Sequence, residues 1–162
     1  MGAKLVYPDR TIQHAGVVIG ITGLAGHVYR GLPADQPGYF GQLQVVRNVS
    51  ALTGACLLTK RAVFQEVGGF DQENLPVAFN DVDLCLKMIE RGYRIVWTPY
   101  ALLYHHESAS RGDDRDLRGC SSEKYQRVTS ELDYIEGKWR RYVENDPYYN
   151  PNLTRLFSNS GF

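Results

Sequence analysis

The chain has 162 residues, 43% hydrophobic and 22% charged, which suffices for one globular domain with a real core. Eighteen basic and eighteen acidic residues cancel to a formal net charge of zero, and no basic stripe breaks that balance, so no nucleic-acid partner is expected. Three scattered cysteines, Cys56, Cys85 and Cys120, fit neither a zinc pattern nor a disulfide framework, and a reducing compartment is the expectation.

Met1-Gly2-Ala3-Lys4 runs directly into Leu5-Val6-Tyr7, without the basic head and long apolar stretch of a secretory leader. No apolar window approaches the roughly 20 residues that cross a bilayer. Gly2 to Tyr7 reads as a strand, and Pro8-Asp9-Arg10 as a turn. Ile12 to Ile21 reads as a second strand paired with the first. Residues 22–42, rich in glycine and holding Pro33 and Pro37, form a long connection of the kind that serves a function or acts as a lid.

Val45 to Thr59 is apolar and β-branched, and reads as a buried strand interrupted near Thr53-Gly54. A short helix over Lys60 to Val67 ends at Gly68-Gly69. Phe70 to Ala78 is a loop. Asn80 suits a helix N-cap, with Asp81 and Asp83 in the first turn, where carboxylates complement the helix dipole. Val82, Cys85, Leu86 and Ile89 then share one apolar face, and Gly92 ends the helix. Tyr93 to Thr98 alternates as a strand that Pro99 stops; Leu102 to His105 is another short strand. Residues 107–120 are polar. Tyr125, Val128, Leu132, Ile135, Trp139 and Tyr142 recur at steps of three and four, one stripe along a helix from about Ser122 to Glu144. The tail from Asp146 is irregular. Roughly five strands and three helices give an α/β or α+β class, with neither a P-loop nor a Gly-x-Gly-x-x-Gly turn.

Few residues stand out as chemistry. Asp81-Val82-Asp83 has the spelling of a metal clamp, but residues two apart on a helix diverge by about 200°, so the pair is a poor common ligand set. Either both carboxylates steady the helix N-terminus, or one acts alone as a general base. In His105-His106-Glu107, at a strand end, only one histidine faces a given side. It either ligates a metal or hydrogen-bonds at the strand terminus. Arg111, Arg115 and Arg118 either meet phosphate or pair with Asp113, Asp114 and Asp116. Gly54 marks a bulge or a close approach of backbone or ligand. A metal hydrolase built from His105, Glu107 and Asp81 lacks compact ligand spacing.

Val49 to Gly112 combines several marks in order: Gly54-Ala55 leading through Lys60-Arg61 into a helix, Gly68-Gly69-Phe70-Asp71, Asn80-Asp81-Val82-Asp83-Leu84, Gly92-Tyr93-Arg94-Ile95, and His105 with Ser110 five residues on. In this order and spacing the run resembles the family 2 glycosyltransferases of GT-A fold. The opening residues and "NDPYYNPNL" are similar to a subset acting in bacterial surface polysaccharide or O-antigen assembly. The resemblance implies an α/β fold, the C-terminal acceptor-side part of a GT-A mixed sheet with flanking helices, the nucleotide-binding half being absent. Residues 1–120 would form that half-domain, and 121–162 a long amphipathic helix with its tail.

It further implies inverting, metal-dependent transfer from a nucleotide-sugar to a glycan or lipid-linked acceptor, with Asp81 as the catalytic base. Gly54, Gly69, Phe70, Asp71, Asn80 and Asp83 would shape the acceptor side. His105 would be the metal ligand and Arg111 a diphosphate contact. Manganese or magnesium would serve the full-length enzyme and not bind this chain tightly, because such ions want several oxygen ligands. The piece is expected to be inactive alone and to dimerise through an uncovered sheet edge. A cytoplasmic place, peripheral at the inner membrane, is expected. The alternative is a non-catalytic glycan- or partner-binding module of the same fold.

Overall fold

A computed structural model describes residues 1–106 and 121–155. The fold is mixed α/β. Strands β1 (Gly2–Val6), β2 (Ile12–His14), β5 (Arg47–Asn48) and β6 (Val96–Tyr104) form one sheet in the order β2-β1-β6-β5. β1 runs parallel to β6 and antiparallel to β2. Strands β3 (Val17–Ile19) and β4 (Ala25–His27) make a separate antiparallel pair. The helices are α1 (Arg61–Glu66), α2 (Asn80–Glu90) and α3 (Ser122–Glu144).

Several sequence expectations are corrected here. The single strand over Ile12 to Ile21 is two, because Gly16 turns the chain at φ 101°, where a Cβ would lie 2.7 Å from Val49 Cγ1. The 22–42 connection contains β4 and a 3-10 turn at Tyr39–Gly41. The run from Val45 to Thr59 keeps only β5 and a 3-10 turn at Gly54–Cys56. Pro99 does not stop its strand. Gly2 pairs with Trp97 but Lys4 with Leu102, so Pro99 falls in a bulge where its missing N–H is not needed. Asn80 is the first helical residue, not the cap. The cap is Phe79 in the left-handed region (φ 58°, ψ 6°) with no side-chain hydrogen bond.

The core joins Ile12, Val17, Leu52, Leu84, Leu86 and Trp97 to Ile135, Trp139 and Tyr142 of α3. The long C-terminal helix is thus built into the same core as the sheet. Tyr125, expected on its apolar stripe, is 56% exposed. Around α2, residues Val82 to Leu86 are all buried, Asp83 included. No helix among the described residues is long and apolar enough to cross a membrane.

Where the two sheets meet, His14 Nδ1 lies 2.9 Å from His27 Nδ1, so one ring donates and the other accepts. His14 is fully buried, and burial, then His27 and Arg47, holds it well below the usual histidine range. The neutral form is therefore favoured on folding. Its stabilisation is complete above the unfolded value, about 6.5, and is lost as pH falls below it. Between pH 7.5 and 5.5 the protein should therefore lose stability through this residue. Denaturant unfolding at both pH values measures it, and the loss should vanish in His14→Gln.

Candidate active site

α2 presents the two aspartates in different directions, as helical geometry requires. Asp81 is half-buried. Its Oδ2 accepts from the backbone N–H of Gly54 at 2.7 Å, and its Oδ1 from that of Val82 at 2.8 Å. Gly54 opens its 3-10 turn under the cap of Thr53, whose side chain accepts from Ala55 N. The glycine itself is exposed. Burial pushes the Asp81 carboxyl above the ordinary aspartate range, while the N–H groups of Gly54 and Val82 work against that rise. The backbone N–H of Asp81 itself also bonds the carboxylate, and of its roughly four acceptor positions one remains for an incoming hydroxyl. Cys85, one turn on, is no rival nucleophile: burial pushes its thiol up to about 12.

Asp83 faces the other way and is completely buried. Its Oδ1 accepts from Trp139 Nε1 at 2.8 Å and lies 2.8 Å from Lys138 Nζ, both on α3. Its Oδ2 is 3.0 Å from Lys87 Nζ. The structure thus gives Asp83 a buried ion-pair network instead of an open acceptor face. The reason is the same 200° divergence that separates it from Asp81.

That network reaches the Gly68-Gly69-Phe70-Asp71 loop at two points. Lys87 donates to Gly69 O at 2.6 Å. Asp71 Oδ2 accepts from Tyr134 OH at 2.7 Å and lies 3.5 Å from Lys138 Nζ. The Tyr134 hydroxyl, followed by Asn74 and Lys138, lowers the Asp71 carboxyl to about 2. Gly69 sits at φ 64°, and a Cβ there would stand 2.9 Å from the Phe64 ring. Phe70 meets Phe64 edge to face at 5.4 Å and keeps 41% of its surface exposed. Asn80 reaches back to Val77 O at 3.4 Å. The structure therefore joins Asp81 to Gly54, and Asp83 to Gly69 and Asp71.

His105 stands apart from these. Its N–H donates to Val6 O at 3.0 Å, extending the β1–β6 pairing, and its Nδ1 is buried without a hydrogen-bond partner among the described residues. No group of three or more histidine, cysteine or acidic side chains among the described residues could hold a metal. One imidazole is a poor fit for magnesium or manganese, which take oxygen-rich shells. Glu107, Ser110, Arg111, Arg115 and Arg118 lie outside the described residues.

Lys87, Tyr134, Lys138 and Trp139 were not singled out by sequence reasoning as partners of these loops. The readable signal was partial: Asp83 to Lys87 is an i, i+4 pair, but nothing local tells which face of α3 meets Asp71.

Comparison with known proteins adds to this picture. Over 153 residues, 94% of this chain, the sequence is 52% identical to an uncharacterized protein, y4gI, of Sinorhizobium fredii, covering 16% of that protein. It is 39% identical over 170 aligned residues, 99% of this chain, to the O-antigen biosynthesis protein RfbC of Myxococcus xanthus, covering 12% of it. A shorter stretch of 68 residues, 42% of the chain, is 40% identical to N-acetylglucosaminyl-diphospho-decaprenol L-rhamnosyltransferase of Mycobacterium tuberculosis, covering 22% of that enzyme. The chain thus spans less than a quarter of the length of each of these relatives. No solved structure matches. The sequence model of the glycosyltransferase-like family 2 matches residues 39–120, which hold Gly54, the Gly68–Asp71 loop, all of α2 and β6. With about half of its length inside that match, and Asp81 and its Gly54 contact at the centre of it, the chain belongs to the glycosyltransferase-like family 2.

Proposed function

We propose that this chain supplies the acceptor side and the catalytic base of an inverting glycosyltransferase that acts in surface polysaccharide assembly. The observation carrying this reading is Asp81: a half-buried carboxylate with both oxygens fixed by backbone N–H groups, placed within the family match. In the reaction Asp81 takes the proton of the acceptor hydroxyl. The freed oxygen attacks the anomeric carbon, and the bond to the nucleoside diphosphate breaks on the opposite face. The electron pair leaves with the diphosphate, and the sugar inverts. A raised carboxyl suits the task, because a stronger base transfers a proton more readily near neutral pH.

Gly54 and Asn80 beside Asp81, and the exposed ring of Phe70 in the Gly68–Asp71 loop, are the groups left to meet an acceptor. Asp71 and Asp83 support them from behind. The relatives named for O-antigen biosynthesis and for a rhamnosyltransferase acting on a diphospho-decaprenol favour a glycan or lipid-linked acceptor. His105 would contribute at most one nitrogen to a metal, and Arg111, by resemblance, a diphosphate contact. The described residues do not by themselves fit a magnesium or manganese site, and the reading expects transfer only where a nucleotide-binding half supplies the remaining ligands. The test is incubation of the chain, and of a longer protein in which it is joined to a nucleotide-binding half, with a panel of nucleotide-sugars and lipid-linked acceptors, reading product anomeric configuration by NMR. An inverted glycoside from the longer protein alone is expected. A retained configuration would refute the reading. Acceptor binding with no transfer from any donor would instead identify a non-catalytic glycan-binding module.

Self-association is the second expectation. β5 covers β6 only at Val96 and Trp97, while Tyr100, Leu102, Leu103 and Tyr104 are 79%, 47%, 47% and 56% exposed. An uncovered apolar strand is a template for pairing. Sedimentation velocity should show a concentration-dependent dimer that Leu103→Lys dissolves. A monomer at every concentration would remove this expectation.

A further inference from the structure

The family match ends at residue 120 and assigns nothing to α3. Yet α3 buries a charge. Glu131 is 1% exposed, on a face it shares with Val128 and Ile135. A carboxylate in that setting is costly unless hydrogen-bonded. Its bonds go to one short turn. Oε1 accepts from the backbone N–H of Val77 at 3.2 Å and Oε2 from that of Ala78 at 2.9 Å. Arg127, one helical turn earlier, holds its Nη1 3.2 Å from both oxygens. The next residue, Phe79, is the left-handed cap of α2, and Asp81 lies in the first turn that follows. A bulky residue at positive φ is disfavoured by its own sterics, and no side chain caps it. Something outside the turn has to hold it.

The geometry points to Glu131 as a positioning residue for Asp81. It does not touch the reacting atoms. It pins the two N–H groups before Phe79, the pinned turn sets where α2 begins, and that start sets the Asp81 carboxylate against Gly54 N. This role rests on the reading of Asp81 as the base. A carboxylate that merely fastened α3 to the body would affect stability and leave the Asp81 environment alone.

The two roles separate in the 162-residue chain itself. Glu131→Gln keeps the shape, but has one acceptor oxygen and turns an NH₂ toward the second backbone N–H. Carboxyl ¹³C NMR, with Asp81 assigned by its loss in Asp81→Asn, follows the titration well below the thermal midpoint. In Glu131→Gln the Asp81 midpoint should move by about half a pH unit or more, together with the Gly54 amide resonance that reports the 2.7 Å bond. In the longer protein kcat should fall about tenfold with the acceptor KM nearly unchanged, as for a displaced catalytic group. A lowered thermal midpoint with the Asp81 titration and the Gly54 amide both unmoved would overturn the proposal. If Glu131→Gln does not fold, Glu131→Asp gives the same readings, because one missing methylene draws the carboxylate off both N–H groups. Normal transfer by Asp81→Asn would refute the base reading separately, since the titration shift does not depend on turnover.

Discussion

Asp81→Asn should abolish transfer in the longer protein while leaving the fold nearly intact. The amide has no proton affinity to offer the acceptor hydroxyl, and losing a general base costs about 10²–10⁴ in rate. The structural cost is small. An asparagine oxygen can still accept from Gly54 N, and the bond given up, to Val82 N at 2.8 Å, is a single helix-turn contact of about 1 kcal/mol. Burial also penalises the charged form of this residue, so a neutral amide recovers part of that cost. Turnover should therefore collapse with the thermal midpoint almost unchanged, and acceptor binding should survive. The wild-type rate should also fall on the acid side at a pH above the ordinary aspartate value, since the raised carboxyl must be ionised to act. Turnover within a few-fold of wild type would dismiss Asp81 as the base.

The site was more legible in the sequence than the sheet around it. Asp81 and Asp83 could be separated from spacing alone, because 100° per residue is a property of every α-helix, and the structure places them on opposite sides of α2. The Gly68-Gly69 stop was equally local. The misreadings arose where a distant partner decides. Pro99 reads as a strand terminator until the bulge against β1 makes its missing N–H harmless. Val45 to Thr59 has strand composition, yet only Arg47 and Asn48 find a ladder partner, because pairing rather than propensity makes a strand. Glu131 was not singled out, though the sequence held a signal for it. It sits between Val128 and Ile135 on the apolar stripe of α3, and a charge in such a stripe signals a buried partner. That the partner is the turn before α2 depends on how two helices pack, which no local pattern encodes.

The largest loss of stability should come from Asp83→Ala. This one carboxylate is wholly buried; it accepts from Trp139 Nε1 and lies at ion-pair distance from Lys138 Nζ and Lys87 Nζ. Removing it leaves two ammonium groups and a buried indole N–H facing a small cavity. Breaking a buried ion pair from one side costs about 3–5 kcal/mol, and in a chain of this size each kcal/mol moves Tm by about 2–4 °C. A drop of roughly 6 °C or more is expected. Asp83→Asn should be milder, because the amide oxygen can keep the Trp139 bond while losing the charge. Double substitution discriminates further. Lys138→Met in the Asp83→Ala background gives up the contacts to Asp71 and Tyr134 and should cost less than in the wild-type background, where it also gives up Asp83. Such a difference marks direct coupling. Additive effects in thermal or urea unfolding would mean that Asp83 and Lys138 contribute independently.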